Sequence, residues 1–167
     1  SASDDVDGAA TDTVTSYEAL DLRMPETVNI AETGNCWYGD PITQSGSKYY
    51  SFTFDNMIAD STASARIINA AAASTSGSFT FSSGNSEKTT AVSSSISGGV
   101  ASYEMGSISD MTLMDVAQNA NGYLSFTSTY RSSSSSAVGY LYYLAVAAKC
   151  ALRMSGSYMP FSSVNSV

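Results

Sequence analysis

The residues that could carry out chemistry are few and do not form a catalytic set. The 167 residues include 15 Asp and Glu, two Cys and no His. Without histidine, the chain cannot form a Ser-His-Asp triad, a Cys-His dyad or a zinc site that contains histidine. Ser45-Gly-Ser-Lys48 has the Ser-x-x-Lys spacing of one class of serine nucleophile, but the companion motifs Ser-Asp-Asn and Lys-Thr-Gly are missing. We therefore expect a protein that is not an enzyme.

The acidic residues do not form a convincing cation site. Asp5, Asp7 and Gly8 match the start of an EF-hand loop, but Ala9 and Ala10 stand where such a loop needs an oxygen ligand and a glycine. Asp115 is the acid best placed among apolar neighbours, yet the sequence identifies no second carboxylate to pair with it. We expect no cofactor and no metal. A loose calcium site shared between subunits is the alternative for the acidic segment.

Charge and hydropathy exclude two large classes of partner. The net charge is −8 and only seven Lys and Arg are spread along the chain, so no surface can neutralise a run of nucleic-acid phosphates. Residues 137–148 form the longest apolar stretch, about twelve residues where a membrane-spanning helix needs about twenty. We expect neither nucleic-acid contact nor a membrane span. The first residues lack both parts of a signal peptide and an initiator Met, which predicts a processed or excised chain.

Alternation with a period of two predicts the fold. Apolar residues alternate with small polar ones in residues 50–54, 78–82 and 124–127, and clusters of Gly and Ser separate these runs. The sequence therefore predicts an all-β fold, an antiparallel β-sandwich similar to a jelly roll, with at most one or two short helices. Residues 64–73 and 109–119 are the candidates for those helices.

The longest alternation runs from Tyr140 to Met154. We assign Tyr140, Tyr142, Leu144 and Val146 to the core as one face of a strand. Fifteen residues are more than the usual strand of about five or six, so we expect a bend or bulge near Ala147. A helix is the alternative for this segment.

The chain divides into an arm and one domain. Residues 1–15 are small, polar and acidic, which predicts an arm or linker before a single β-rich domain, residues 16–167. Residues 16–24 favour a strand over a short helix, with Leu20 and Leu22 on its mostly apolar face. Cys36 and Cys150 either form one disulfide bridge or remain free thiols that behave as small apolar side chains.

Four aromatic residues are candidates for an interface or a ligand site: Trp37, Tyr38, Tyr130 and Tyr158. A Trp-Tyr pair on the surface can stack on a sugar or enter a pocket of a partner, and tyrosine combines a large ring with a hydrogen-bonding tip. The alternative is structural. Trp37 then anchors the core beside Cys36, and the tyrosines occupy half-buried strand faces.

The composition predicts a mechanical role. The sequence contains 33 Ser and 15 Thr, and 13% of its residues are charged, about half the usual 25%. Small hydroxyl side chains lose little entropy when ordered, and few charges mean few ions to desolvate at a contact. We predict a subunit that assembles with copies of itself, foremost a viral capsid protein (coat or projecting domain) located in the virion.

Two alternatives belong to other functional classes. A subunit of an extracellular bacterial or archaeal filament or pilus would exchange a strand through residues 1–15. A carbohydrate-binding or adhesive module, extracellular or at the cell surface, would use its aromatic residues to bind a glycan or a host receptor. A Cys36–Cys150 bridge would favour the filament, because a virion assembled in a reducing compartment keeps its thiols free.

Overall fold

The structure, a computed structural model, describes residues 16–23, 39–94, 96–97, 100–101 and 107–152. All regular secondary structure in these ranges is β-strand, which confirms the predicted all-β class. The strands are β1 (Ser16–Arg23), β2 (Gly39–Thr43), β3 (Ser47–Phe52), β4 (Ala63–Ala72), β5 (Gly77–Ser83), β6 (Ser86–Val92), β7 (Ile96–Ser97), β8 (Val100–Ala101), β9 (Ser107–Val116), β10 (Leu124–Ser132) and β11 (Val138–Ala151).

Two antiparallel sheets face each other across the core. The first sheet has the order β1-β11-β4-β9, and β2 pairs with the start of β11 beyond the end of β1. The second sheet has the order β3-β10-β5-β6, and β7 and β8 form a two-stranded ribbon. A tight turn joins β2 to β3, where the Gly46 N–H donates to the Thr43 carbonyl at 2.8 Å. The chain therefore passes from one sheet to the other at this corner, as in a β-sandwich.

Both segments that the sequence offered as helices lie mostly in strands. Residues 64–73 contribute to β4, and residues 109–119 contribute to β9. β4 lies between β11 and β9, and its inward side chains Ala63, Ala65 and Ile67 are at most 3% exposed. Burial therefore follows a period of two. Pairing on both sides of the strand outweighs the helix propensity of its alanines.

Aromatic side chains of the second sheet pack against small side chains of the first. Phe79 and Tyr130 stack with ring centroids 4.7 Å apart. Gly139 of β11 lies against this pair, since a Cβ on Gly139 would come within 2.8 Å of Phe79 Cε1 and 3.0 Å of Tyr130 Cγ. The glycine thus leaves the space that the two rings fill. Phe126 continues the aromatic layer by stacking on Phe81 at 5.5 Å.

A polar bridge crosses the core between the sheets. Asn69 of β4 is fully buried, and its Nδ2 donates to the carbonyl of Tyr140 at 3.3 Å. The hydroxyl of Ser128, on β10, donates to Asn69 Oδ1 at 3.4 Å. These bonds satisfy the buried amide from both sides, as a polar group in a core requires.

β11 is a long strand, as predicted, but its irregularity lies closer to its start. The register with β4 shifts between Leu141 and Tyr143, which makes Tyr142 the extra residue of a β-bulge. No shift occurs in the pairing of Ala147 with either neighbouring strand. The expected bend near Ala147 was therefore misplaced.

The bulge also changes which residues of β11 face the core. Gly139 is buried before the bulge, and Leu144 and Val146 are fully buried after it, so the inward positions change from odd to even numbers. The core assignment of Leu144 and Val146 is confirmed. Tyr140 and Tyr142 are only half-buried, because both precede the point at which even positions turn inward.

β1 is a strand, as predicted, but its apolar face is reversed. Leu20 and Leu22 point away from the sandwich and are 61% and 45% exposed. The register aligns Asp21 and Arg23 with inward residues of β11. The Arg23 guanidinium lies 5.2 Å from the centre of the Phe52 ring. A cation–π contact at this edge therefore takes the place of a buried leucine.

Two of the predicted features fall partly or wholly outside the described residues. Cys150 is fully buried, and burial raises the pKa of its thiol. Cys36 lies outside the described residues, so the bridge between the two stays a prediction, and so does the arm of residues 1–15. The part of the chain that the structure describes contains no helix capable of crossing a membrane.

Replacing Leu144 with Asp should prevent folding. The side chain is fully buried in β11, and an unpaired buried carboxylate costs several kcal/mol of the roughly 5–15 kcal/mol that hold a domain together. Leu20→Asp is the matched control, since an exposed leucine should change the free energy of unfolding by less than about 1 kcal/mol. Circular dichroism during urea titration measures both. A Leu144→Asp protein as stable as the original chain would contradict the inward assignment.

Tyr130→Phe should leave stability unchanged or raise it by up to about 1 kcal/mol, because the change removes a buried hydroxyl with no well-formed hydrogen bond in the described part of the chain. Burial raises the pKa of the Tyr130 phenol against an opposing effect of Ser132, yet no hydrogen bond of acceptable geometry reaches its hydroxyl. Tyr130→Ala should cost about 3–5 kcal/mol through loss of the ring. Denaturant titration of both variants is the measurement, and a large loss in Tyr130→Phe is the opposing result.

Candidate functional site

Two loops at one end of the sandwich enclose a depression of about 350 Å³. One is the turn between β5 and β6, and the other connects β9 to β10. The depression is lined by residues 83–86, residues 115–119, Tyr123 and Ser125. Amide, carboxylate and hydroxyl groups surround one tyrosine there, so the lining offers hydrogen-bond donors and acceptors beside an aromatic ring.

Asn119 fixes the shape of the loop between β9 and β10. Its Oδ1 accepts hydrogen bonds from the backbone N–H groups of Asn121 and Tyr123, both at 3.0 Å. The backbone N–H of Asn119 donates to the carbonyl of Tyr123 at 2.8 Å. Gln118 Nε2 donates to the carbonyl of Gly122 at 3.3 Å. The loop is therefore ordered by its own side chains before any ligand arrives.

A short hydrogen bond joins the two walls of the depression. Ser83, the last residue of β5, donates from its hydroxyl to the carbonyl of Ser125 at 2.6 Å. The turn that follows has Gly84 at φ 55°, a left-handed conformation that glycine adopts without strain. Asn85 comes next and is exposed. The bond from Ser83 thus holds the Asn85 turn at a fixed distance from the opposite loop.

Asp115 reaches the depression because β9 contains a bulge. The register between β4 and β9 shifts between Ala63 and Ala65, so that Met114 and Asp115 together stand opposite one residue of β4. Asp115 has a φ of 57°, a left-handed conformation that Asp tolerates better than most residues. The bulge releases its carboxylate from the sheet and leaves it exposed at the rim.

The chemistry available in this depression is that of binding. Tyr123 is 44% exposed, so part of its ring faces solvent. The side chains of Asn85 and Asp115 make no hydrogen bond within the described residues, and their donors and acceptors are available to a ligand. The described part of the chain has no cluster of three or more His, Cys, Asp or Glu that could hold a metal ion.

Of the four residues predicted as surface aromatics, Tyr130 alone lies within the described residues. Trp37, Tyr38 and Tyr158 lie outside the described residues, so their role as interface or ligand residues stays a prediction. Tyr130 lies in the core with no exposed area, because its inward position on β10 stacks it on Phe79. Ser45, the first residue of the Ser-x-x-Lys spacing, lies in the turn between β2 and β3.

The sequence did contain a signal for the residue that the structure exposes instead. Asn121-Gly122 is a strong turn sequence, and Tyr123 follows it directly at the entrance to β10. A tyrosine between a turn and a strand is positioned at a loop end of the sheet. The sequence contains no comparable signal for Asn85 and Asp115. They come together through a turn and a bulge that lie far from each other in the sequence.

The chain matches no protein-family model, and no curated protein is similar to it in sequence. Solved structures do share its fold. The crystal structure of dimeric latent PorU from Porphyromonas gingivalis matches 89% of this chain with a TM-score of 0.69 and 19% identity. The chain spans only 14% of the length of PorU. At this identity, the match establishes the fold alone.

Two carbohydrate-binding modules match less closely. The CBM36-1 domain of a multidomain xylanase from the hindgut metagenome of Trinervitermes trinervoides has a TM-score of 0.42 and 12% identity, over 78% of this chain and 96% of the module. The module CBM36 in complex with calcium and xylotriose has a TM-score of 0.40 and 14% identity, over 78% of this chain and 98% of the module. Both TM-scores are below 0.5, so these modules support no transfer of residues or ligands to this chain.

Proposed function

We propose that this chain is a non-catalytic carbohydrate-binding module and that the depression at the loop end binds a neutral sugar. The observation that carries the proposal is that Asn119 fixes the loop with Tyr123 beside two side chains, Asn85 and Asp115, that make no hydrogen bond to any residue the structure describes. Sugar hydroxyls both donate and accept, and an amide and a carboxylate complement them. The apolar face of a sugar ring packs on an aromatic ring such as that of Tyr123.

Because the loop is already ordered, a ligand that makes only weak contacts can bind to it. A loop that becomes ordered on binding loses affinity through the entropy of its residues. Here the bonds from Asn119 and Ser83 already fix the positions of both walls. A sugar unit that contributes about 0.3 kcal/mol for each of its roughly twelve heavy atoms would then bind in the millimolar range, and longer oligosaccharides more tightly.

The charge of the site favours neutral over acidic glycans. Asp115 is the single charged residue among those lining the depression, and the whole chain has a net charge of −8. A carboxylate or sulfate on a glycan would meet a negative potential without a cation to pair with it. The proposed ligands are neutral oligosaccharides, and the proposed location is extracellular or on a cell surface.

Tyr123→Ala should weaken glycan binding at least tenfold, because it removes the exposed ring from the depression. The measurement is a glycan array of neutral and acidic oligosaccharides, followed by calorimetric titration of the best binder. Tyr49→Ala is the matched control, since Tyr49 is 79% exposed on the outer face of the second sheet.

Three outcomes would contradict this proposal. The first is the absence of binding to any neutral glycan at millimolar concentration. The second is undiminished binding by Tyr123→Ala. The third is binding that is lost in Trp37→Ala and retained in Tyr123→Ala, which would move the site to the aromatic pair predicted from the sequence.

Asn119 offers a second test, because its role is to position the loop. Asn119→Ala removes the acceptor for two backbone N–H groups and should weaken glycan binding by about tenfold, equivalent to roughly 1.4 kcal/mol. Asn119→Asp keeps an acceptor oxygen at the same place and should retain most of the affinity. Calorimetry measures both variants. Equal affinities for the two would show that the loop bonds do not position the site.

A self-assembling structural subunit is the second candidate function. The specific observation in its favour is a group of exposed apolar side chains on the outer face of the first sheet, among them Leu20 and Met114. A viral capsid protein in the virion and an extracellular filament subunit both belong to this class. Electron microscopy separates the two candidates, because shells or fibres identify a subunit and dispersed particles identify a binding module.

A further inference from the structure

The outer face of the first sheet carries most of the exposed apolar side chains. In the described residues, seven large hydrophobic side chains are exposed, and four of them, Leu20, Leu22, Ile108 and Met114, lie on this face. Residues directly opposite each other in an antiparallel pair share a face. Leu20 pairs with Ala147 and Leu22 pairs with Ala145, which places all of them on the side away from the core.

At one end of the face, small residues separate the large side chains of its two edges. β1 contributes leucines at one edge, and Met114, which is 59% exposed, stands on β9 at the other edge. Between them, Ala147 of β11 and Ser64 of β4 form a low floor at this end, and Arg66, Ile68 and Tyr143 are larger side chains further along the central strands. A depression of about 480 Å³ lies at the end of this floor. This end of the face is therefore low enough to admit side chains from another surface.

Residues of opposite charge are neighbours at two places on this face. Arg66 of β4 donates to both carboxylate oxygens of Asp110 on β9, at 2.9 and 2.6 Å. This contact lowers the pKa of the Asp110 carboxyl. Lys149 stands opposite Glu18 in the register of β11 with β1. These two pairs sum to zero charge on a chain whose net charge is −8, and Asp115 adds one carboxylate at the end of the face, so most of the face can approach an identical face without local repulsion.

We propose that this face binds the same face of a second copy of the chain, related to it by a two-fold axis. Four strands about 4.8 Å apart and about nine residues long give a face of about 600 Å², so two copies bury about 1,200 Å². That area is the lower end of the range for specific interfaces. When the two-fold axis passes between the Arg66–Asp110 pairs of the two copies, Arg66 of each copy lies next to Asp110 of the other copy. This dimer does not depend on the glycan site.

The first test is the oligomeric state of the full chain. Sedimentation velocity from about 1 µM to about 500 µM should show a concentration-dependent dimer. Leu20→Lys and Met114→Lys, on different strands, should each raise the dimer dissociation constant at least tenfold. Tyr49→Lys is the matched control, because it makes the same change of charge on the opposite sheet. A monomeric original chain, or dimers that survive both lysine variants, would overturn the proposal.

The second test separates the two-fold contact from a general loss of stability. Arg66→Asp and Asp110→Arg should each be monomeric alone, since each places like charges together in a dimer of itself. An equimolar mixture should form a heterodimer, because the carboxylate introduced in the first variant then faces the guanidinium introduced in the second. If net charge alone controlled dimerisation, Asp110→Arg would instead dimerise best, because it is the less acidic variant. Two folded variants that stay monomeric when mixed would refute the arrangement.

Discussion

The fit between large rings on one sheet and small side chains on the other is the constraint on which the rest of the structure depends. The stack of Phe79 on Tyr130 needs the space at Gly139, and no residue with a Cβ can stand there. This fit fixes the position of β11 relative to β5 and β10. Since β11 pairs with three other strands, its position fixes the whole first sheet.

Both bulges follow from placing long strands on that core. Tyr142 is the extra residue in β11, and the bulge lets the inward positions pass from Gly139 to Leu144 without breaking the strand. The bulge in β9 frees Asp115 from the ladder and leaves it at the rim of the loop-end depression. The loop-end depression therefore takes its shape partly from irregularities in the sheet that the core imposes.

The sequence predicted the class of fold well because period two is a local property. The alternation around Phe79 and in β10 is visible in a few residues. The reversed face of β1 and the strand character of the alanine-rich segment in β4 were not visible, since both depend on pairing with distant β11. The candidate site was missed for the same reason. Asn85 and Asp115 are 30 residues apart in the sequence and come together only when the sheets pack.

Asp21 and Arg23 stand on the inward side of β1, which is the outermost strand of the first sheet among the described residues. A strand added beside β1 would have to place its own inward side chains next to two charges, which disfavours extension of the sheet by further strands. Lengthening of the first sheet past β1 is therefore opposed by two charged side chains of an eight-residue strand.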